Sequence, residues 1–491
     1  MKKLLCFAIA LFAAIMPALY ACGDPAAQNP VNPDEPDSPE TSEQETTAYD
    51  SLPDDLDFGG ATINIFHFGS QDTKDYDAGG EMGGDIVLDA VYQRNRKTEE
   101  RLNVKLNWIA GSDEWDTFPN QVNTALLAGT GDYDLIMEEN SRAFQHSLRG
   151  YFYDLMDASY IDLEAPWWYV RLMEEGSIDN NKRYFITGDL TVTTLLGASA
   201  VYFNKALYVS YFEDLGTIYD HVLNGTWTHD VFAEYCKGVY SDLNGNQIAD
   251  EGDRFGFEYE EWGIPNYLSM STGLTFSARD PSGLPLIDVY NEYGVMWGET
   301  LYKLLHTDNI SLKSTTDKRK AGFLDETNLF YVGCFFDAPT FRNSSFEYGM
   351  LPYPKLSENL EYMSGAATVN GNGVAIPAIT PPEKFEAVCA AVESLCSEAA
   401  KSVVPTWYET ALKIKYLNAE IDAQMVDLIY DHITAPFIMM ADKELGIGSI
   451  FTYALFNAKE SGAFASYYEK NEGSMNSKWD KMIERYLELE E

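Results

Sequence analysis

What most narrows the possible folds is an alternation of short apolar runs with helix-length segments between Leu56 and Met137. Asp57-Phe58-Gly59-Gly60 reads as a turn, and Ala61-Thr62-Ile63-Asn64-Ile65-Phe66 reads as a mostly apolar strand. Asp85 can cap a helix running through Ile86, Ala90 and Val91 toward Leu102. Val104, Leu106 and Trp108 then alternate as a strand, and Val122 to Ala128 reads as a helix ending at Gly129. Asp132-Tyr133-Asp134-Leu135-Ile136-Met137 closes the series as a short buried strand. Strand, helix, strand, helix, strand implies a parallel sheet with crossovers, hence an α/β fold. Similar strand signals return at Ala200–Phe203, Phe255–Tyr259 and Gly373–Pro377. The last hundred or so residues read as mainly helical: Phe385, Val388, Val392, Leu395 and Ala399 share one face, as do Trp479, Met482, Ile483 and Tyr486. No internal repeat is visible. The stretch from Leu56 to Glu491 exceeds the ~250–300 residues one core supports, so two lobes are expected.

The chain begins with the three parts of an export signal. Lys2 and Lys3 supply positive charge, and Leu4 to Ala18 is an apolar run of fifteen residues, short of the ~20 a membrane-spanning helix needs. Leu19-Tyr20-Ala21-Cys22 resembles a bacterial lipobox, with Tyr20 bulkier than usual there. The expectation is a signal peptide over 1–21 and lipid attachment at Cys22; a plain secretory cut near Ala21 is the alternative. Residues 22–55 are Pro-rich and polar, and Asp24 to Asp57 holds eleven acidic residues and no basic one. Such a segment buries too little surface to offset its ordering entropy and reads as an acidic tether. The folded part would then be held at the outer face of the cytoplasmic membrane by its lipid.

The chain holds 34 Lys and Arg against 77 Asp and Glu, for a formal charge of −43. That balance argues against nucleic acid or an anionic membrane surface as partner and suits an uncharged or cationic ligand. Cys236, Cys334, Cys389 and Cys396 match no zinc spacing and read as small buried hydrophobes, with a disulfide among them as the alternative. There is no G-x-S-x-G elbow, P-loop or H-E-x-x-H segment. Glu138 and Glu139 could be taken for glycosidase carboxylates, but such groups face each other across ~5–10 Å, which sequence neighbours rarely do. No enzymatic activity is expected.

Several local patterns resemble the extracellular solute-binding lipoproteins of ATP-driven importers, in the group that includes sugar and oligosaccharide binders. They are Asp57-Phe58-Gly59-Gly60, Leu127-Ala128-Gly129 with Asp132-Tyr133-Asp134-Leu135-Ile136, Gly150-Tyr151-Phe152-Tyr153-Asp154-Leu155, Val201-Tyr202-Phe203-Asn204-Lys205, Gly225-Thr226-Trp227-Thr228 and Tyr348-Gly349-Met350-Leu351-Pro352-Tyr353-Pro354-Lys355. The resemblance implies a two-lobed periplasmic-binding-protein fold with a ligand cleft between the lobes. Lobe one would take 56–190 and 326–378; lobe two would take 191–325 and, mainly, the helical part 379–491. A monomer would capture a carbohydrate or oligosaccharide and present it to the permease subunits of an ABC importer. A surface glycan-binding or adhesive lipoprotein without a permease, or a binder of a peptide or other polar solute, are the alternatives.

In open α/β sheets ligands lie beyond the carboxyl ends of the strands. This points to Gly69, Ser70 and Gln71 after the first strand, Glu138, Glu139 and Asn140 after the strand ending at Met137, and Glu260, Glu261 and Trp262 after Phe255–Tyr259. Aromatic rings stack on apolar sugar faces while planar polar groups bond hydroxyls, so Glu139, Asn140 and Trp262 are candidate contacts. Trp168, within Pro166-Trp167-Trp168-Tyr169, is another, with core packing as its alternative. Asp337 and Arg342 flank Phe341 and could bond hydroxyls or pair with each other. Finally, Asp242, Asn244, Asn246, Ile248, Asp250 and Asp253 fall at loop positions 1, 3, 5, 7, 9 and 12 of a calcium loop. Gln247 stands where such loops carry glycine, and Asp253 where they carry glutamate; a structural Ca2+ or an Asn/Asp-rich turn are the two readings.

Overall fold

The computed structural model describes residues 50–79, 82–179, 181–261, 263–307, 309–366, 371–412, 420–446 and 462–489. Lobe one opens with β1 (Ala61–His67), α1 (Ile86–Leu102), β2 (Val104–Ala110), α2 (Thr117–Ala128), β3 (Leu135–Glu139) and α3 (Asn140–Ser147). The chain crosses to lobe two for β4 (Ser199–Asn204), β5 (Phe330–Cys334) and β6 (Tyr348–Leu351), then returns as β7 (Asn372–Ala375) followed by α4 (Pro382–Glu398). Among the described residues the first sheet runs β7–β3–β1–β2, with β1 parallel to both neighbours and β7 antiparallel to β3. The second runs β6–β4–β5, with β4 antiparallel to both neighbours.

Local chemistry accounts for the expected elements. Asp85 caps α1 by accepting from Val87 N and Leu88 N, and Asn103 ends it in the left-handed region at φ 48°. Gly129 ends α2 at φ 61°. Ile63, Ile65, Leu106, Leu135, Met137 and Val374 bury one face of the first sheet against Val388, Val392 and Leu395 of α4. In lobe two every residue of β4 is buried. Asn204 then caps the helix Lys205–Phe212 by accepting from Leu207 N at 2.9 Å, while Lys205 Nζ meets the buried Asp422 at 2.6 Å.

The lobe boundaries differ from the expected ones. Phe330–Cys334 and Tyr348–Leu351 flank β4 and so belong to lobe two; within 326–378 the strand that joins the first sheet is Asn372–Ala375. Strand partnership is set by distant pairing, which local periodicity does not carry. The helical end is also shared between lobes. α4 lies along α1, with Thr98 Oγ1 and Ser394 Oγ 3.0 Å apart, whereas Glu420–Asp431 joins lobe two through Asp422. The long helix Ala463–Glu488 holds Trp479, whose Nε1 donates to Pro285 O at 2.8 Å. Cys236, Cys334, Cys389 and Cys396 are free and buried, as expected of small hydrophobes, and burial pushes each thiol up. Among the described residues no helix is long and apolar enough to cross a membrane.

Candidate functional site

Parallel pairing of β1 with β2 and β3 brings three carboxyl ends to one edge of the first sheet. The register Asn372↔Glu139 adds the start of β7 to that edge. The β1 and β2 ends approach closely: Gly69 N donates to Ser112 O at 2.9 Å, and a Cβ on Gly69 would stand 2.1 Å from Gly111 O, so only glycine fits. Beyond this edge lies a cavity of about 40 Å³ walled by Phe68, Ser70, Asp72, Trp115, Glu139 and, from lobe two, Phe336. Trp115 is 49 % exposed, and its ring lies 4.6 Å from that of Phe68. A second cavity, about 120 Å³, has Tyr76, Asp85 and Val87 of lobe one facing Phe335, Phe336 and Arg342 of lobe two. Phe336 touches both cavities and meets Tyr76 edge-on at 6.0 Å, so a ring pair spans the cleft between them.

A buried polar cluster lies under the cleft. Asp77 accepts from Thr193 N at 2.8 Å, Thr193 Oγ1 at 2.6 Å and Asn372 Nδ2 at 2.8 Å. Burial lifts its carboxyl to about 6 against the pull of these bonds and of Arg94. The fully buried Arg94 donates to Asp77 O, to Leu190 O at 2.9 Å and to Asn95 Oδ1. Nearby, Asp189 accepts from Tyr169 and Tyr430 hydroxyls at 2.8 and 3.0 Å, and burial pushes its carboxyl to about 7. Thr193 and Asn372 line the smaller cavity too, so the cluster connects the start of the crossing to lobe two with the strand that returns from it.

No family model matches the chain, and no curated protein does. Solved structures do. UspC from Mycobacterium tuberculosis aligns with a TM-score of 0.55 at 14 % identity over 85 % of this chain and 100 % of that one. The ABC transporter associated binding protein from B. animalis subsp. lactis, in complex with β-1,6-galactobiose, aligns at 0.53 and 15 % identity over 85 % and 98 %. A family 1 extracellular solute-binding protein from Bifidobacterium longum subsp. infantis aligns at 0.53 and 14 % over 86 % and 100 %. The chain has the two-lobed solute-binding-protein fold. In that fold the cavities on either side of Phe336 fall between the lobes, where the strand ends converge.

The residues expected at the site are dispersed around this solute-binding fold. Glu139 stands on the wall of the smaller cavity; burial raises its carboxyl above the usual range. Asn140 is fully buried at the start of α3, and neither amide atom of its side chain has a hydrogen-bond partner among the described residues. It lies behind the wall, beside Gly371 and Gly373. Trp168 is corrected to a core residue: it is 4 % exposed, belongs to the lobe-one core, and packs where a Cβ on Gly188 would come within 2.8 Å of its ring. Asp337 and Arg342 do not pair. Asp337 accepts from Cys334 N at 3.1 Å and meets Lys320 Nζ at 3.0 Å, while Arg342 lines the larger cavity. Trp262 and Cys22 lie outside the described residues. Trp115 and Phe336, which are not among the residues expected from the sequence, line these cavities, and each follows a strand end within a few residues.

The oxygen-rich loop forms one short curl. Asp242 accepts from Gly245 N at 2.6 Å and Gln247 N at 2.9 Å, and Asp250 accepts from the amides of Asn244 and Asn246 at 2.8 and 2.7 Å. Asp253 accepts from Leu243 N at 3.1 Å, which closes the ends. Gln247 takes φ 61°, the left-handed backbone that glycine supplies in calcium loops. Among the described residues no three His, Cys, Asp or Glu side chains group as a metal site; the donors here are carboxylate and amide oxygens.

Proposed function

We propose that this protein is the solute-binding component of an ATP-driven importer, which captures a carbohydrate or oligosaccharide between its lobes and delivers it unchanged to a membrane permease. One observation carries this reading: rings and hydrogen-bonding groups from both lobes face each other across a narrow cleft at the strand ends. Phe68, Trp115 and Phe336 offer faces for apolar sugar surfaces, and Ser70, Asp72 and Glu139 offer partners for hydroxyls. Support also comes from solved neighbours of the same fold, among them the binding protein in complex with β-1,6-galactobiose and GacH in complex with acarbose. Closure needs no catalytic group, only better contacts in the closed state. A thermal-shift screen across mono- and oligosaccharides tests it. A ligand at 100 times its Kd should add about 2.7 kcal/mol of stability, and silence across the whole panel would overturn the carbohydrate assignment.

The N-terminal signal supports a place outside the cytoplasm. In this reading Cys22 carries the lipid, the acidic segment 22–55 tethers the folded part, and the protein acts as a monomer. The loop Asp242–Asp253 is proposed to hold a structural Ca2+. Asp242, Asn244, Asn246, Asp250 and Asp253 would give side-chain oxygens and Ile248 its carbonyl, a donor set that suits a hard cation. Calorimetric titration with CaCl2 should give heat for the native protein and none for the Asp242→Ala, Asp250→Ala double variant. Identical traces would remove the site.

A further inference from the structure

Resting on the solute-binding reading above, we infer that the cleft selects a sugar bearing an ammonium group. The smaller cavity carries two carboxylates, Glu139 and Asp72, and three rings, while no Lys, Arg or His side chain is among its described lining residues. Glu139 carries the argument. It is only 9 % exposed; its Oε1 accepts from Ser141 Oγ at 2.8 Å, and its Oε2 takes no hydrogen bond from any described residue. It forms no ion pair with a described residue either. Lys443 and Arg142 act on it only through space, and the Arg142 guanidinium turns to Gln145 at 3.3 Å and Asp116 at 3.4 Å. Asp72 likewise neither accepts a hydrogen bond from a described residue nor pairs with a described cation, and its carboxyl is raised by burial and by Asp75.

A carboxylate that is nine-tenths buried, with cations acting on it only from a distance and none in contact, is costly. A neutral hydroxyl would offer the carboxylate a hydrogen bond but no opposite charge. An ammonium offers the hydrogen bond together with that charge, and it is also drawn to the faces of Phe68, Trp115 and Phe336. The formal charge of −43 adds a long-range attraction that favours arrival of a cation. The ring walls and the narrowness of the cavity fit a sugar amine better than a hydrated metal ion, which would need more oxygen donors than this wall presents.

The test is calorimetry on the full chain near neutral pH, comparing the β-1,4-linked glucosamine disaccharide with cellobiose, which carries a hydroxyl in place of each C2 ammonium. The two share size, linkage and ring faces, and differ in charge. The amine form should bind about tenfold or more tightly, and Glu139→Gln should reduce that ratio to roughly twofold or less. Asp72→Asn, at an exposed position, should lower the ratio in the same direction and serves if the Glu139 variant fails to fold. Equal affinity of native protein for the two disaccharides overturns the ammonium inference and leaves the carbohydrate reading intact. Binding of neutral sugars alone does the same. Binding of no sugar at all, charged or neutral, overturns both.

Discussion

Replacing Arg94 by Met should cost about 3–5 kcal/mol of folding stability, read by urea unfolding. Arg94 is fully buried, yet each nitrogen of its guanidinium is hydrogen-bonded: it reaches Leu190 O, Asp77 O and Asn95 Oδ1 and lies within the field of the Asp77 carboxylate. Met fills similar volume, so the loss would be mainly electrostatic: buried carbonyls lose their donors and Asp77 loses its counter-charge. The sign of the pH dependence follows from Asp77. Its folded-state value, about 6, lies above the unfolded value of ~3.9. Its contribution to stability is therefore fully present below the unfolded value and is lost as pH rises through about 6. Without Arg94 the carboxylate form becomes still less favourable, so the variant should be hurt more at about pH 8 than at about pH 5. A loss below about 1 kcal/mol at both pH values would remove Arg94 from this role.

Trp115→Ala should weaken solute binding by roughly thirtyfold, the equivalent of about 2 kcal/mol for a lost aromatic anchor. The ring is half exposed in the cleft and rests against Phe68, so a bound sugar would cover a face that is already held in place. Stability should change by less than about 0.5 kcal/mol, because little buried surface is removed. Trp168→Ala provides the contrast. That ring is in the lobe-one core, and its truncation should cost about 3–5 kcal/mol of stability. Calorimetry with the ligand found by thermal shift, together with unfolding curves, separates the two outcomes. Unchanged affinity in Trp115→Ala would move the binding surface away from this cavity.

The contrast between the two tryptophans also shows how much could be read from sequence. Asp85 capping α1, Gly129 ending α2 and the buried strands β1 and β3 were legible because each depends on neighbours within a few residues. The place of Glu139 at the edge of the first sheet is legible because the strand-end rule needs only a strand. Trp168 and Trp115 look alike in sequence, and only distant packing against Gly188 sends one inward. For the same reason β5 and β6 were assigned to the wrong lobe: their partner, β4, precedes β5 by more than a hundred residues. Phe336 follows a strand whose place was misjudged, so its position across the cleft from Tyr76 was not foreseen. The oxygen-rich loop was legible as a spacing. Gln247 at φ 61° shows that the backbone turn is made without the glycine whose absence counted against it.

Small-angle X-ray scattering on the protein with and without its sugar reads directly whether the two lobes close on a bound solute. At about ten times the native Kd the radius of gyration should shrink, and in Trp115→Ala, whose thirtyfold weaker Kd leaves it about one-quarter occupied, the change should fall to roughly a quarter. An unchanged radius for native protein with a ligand that calorimetry shows to be bound would contradict that closure.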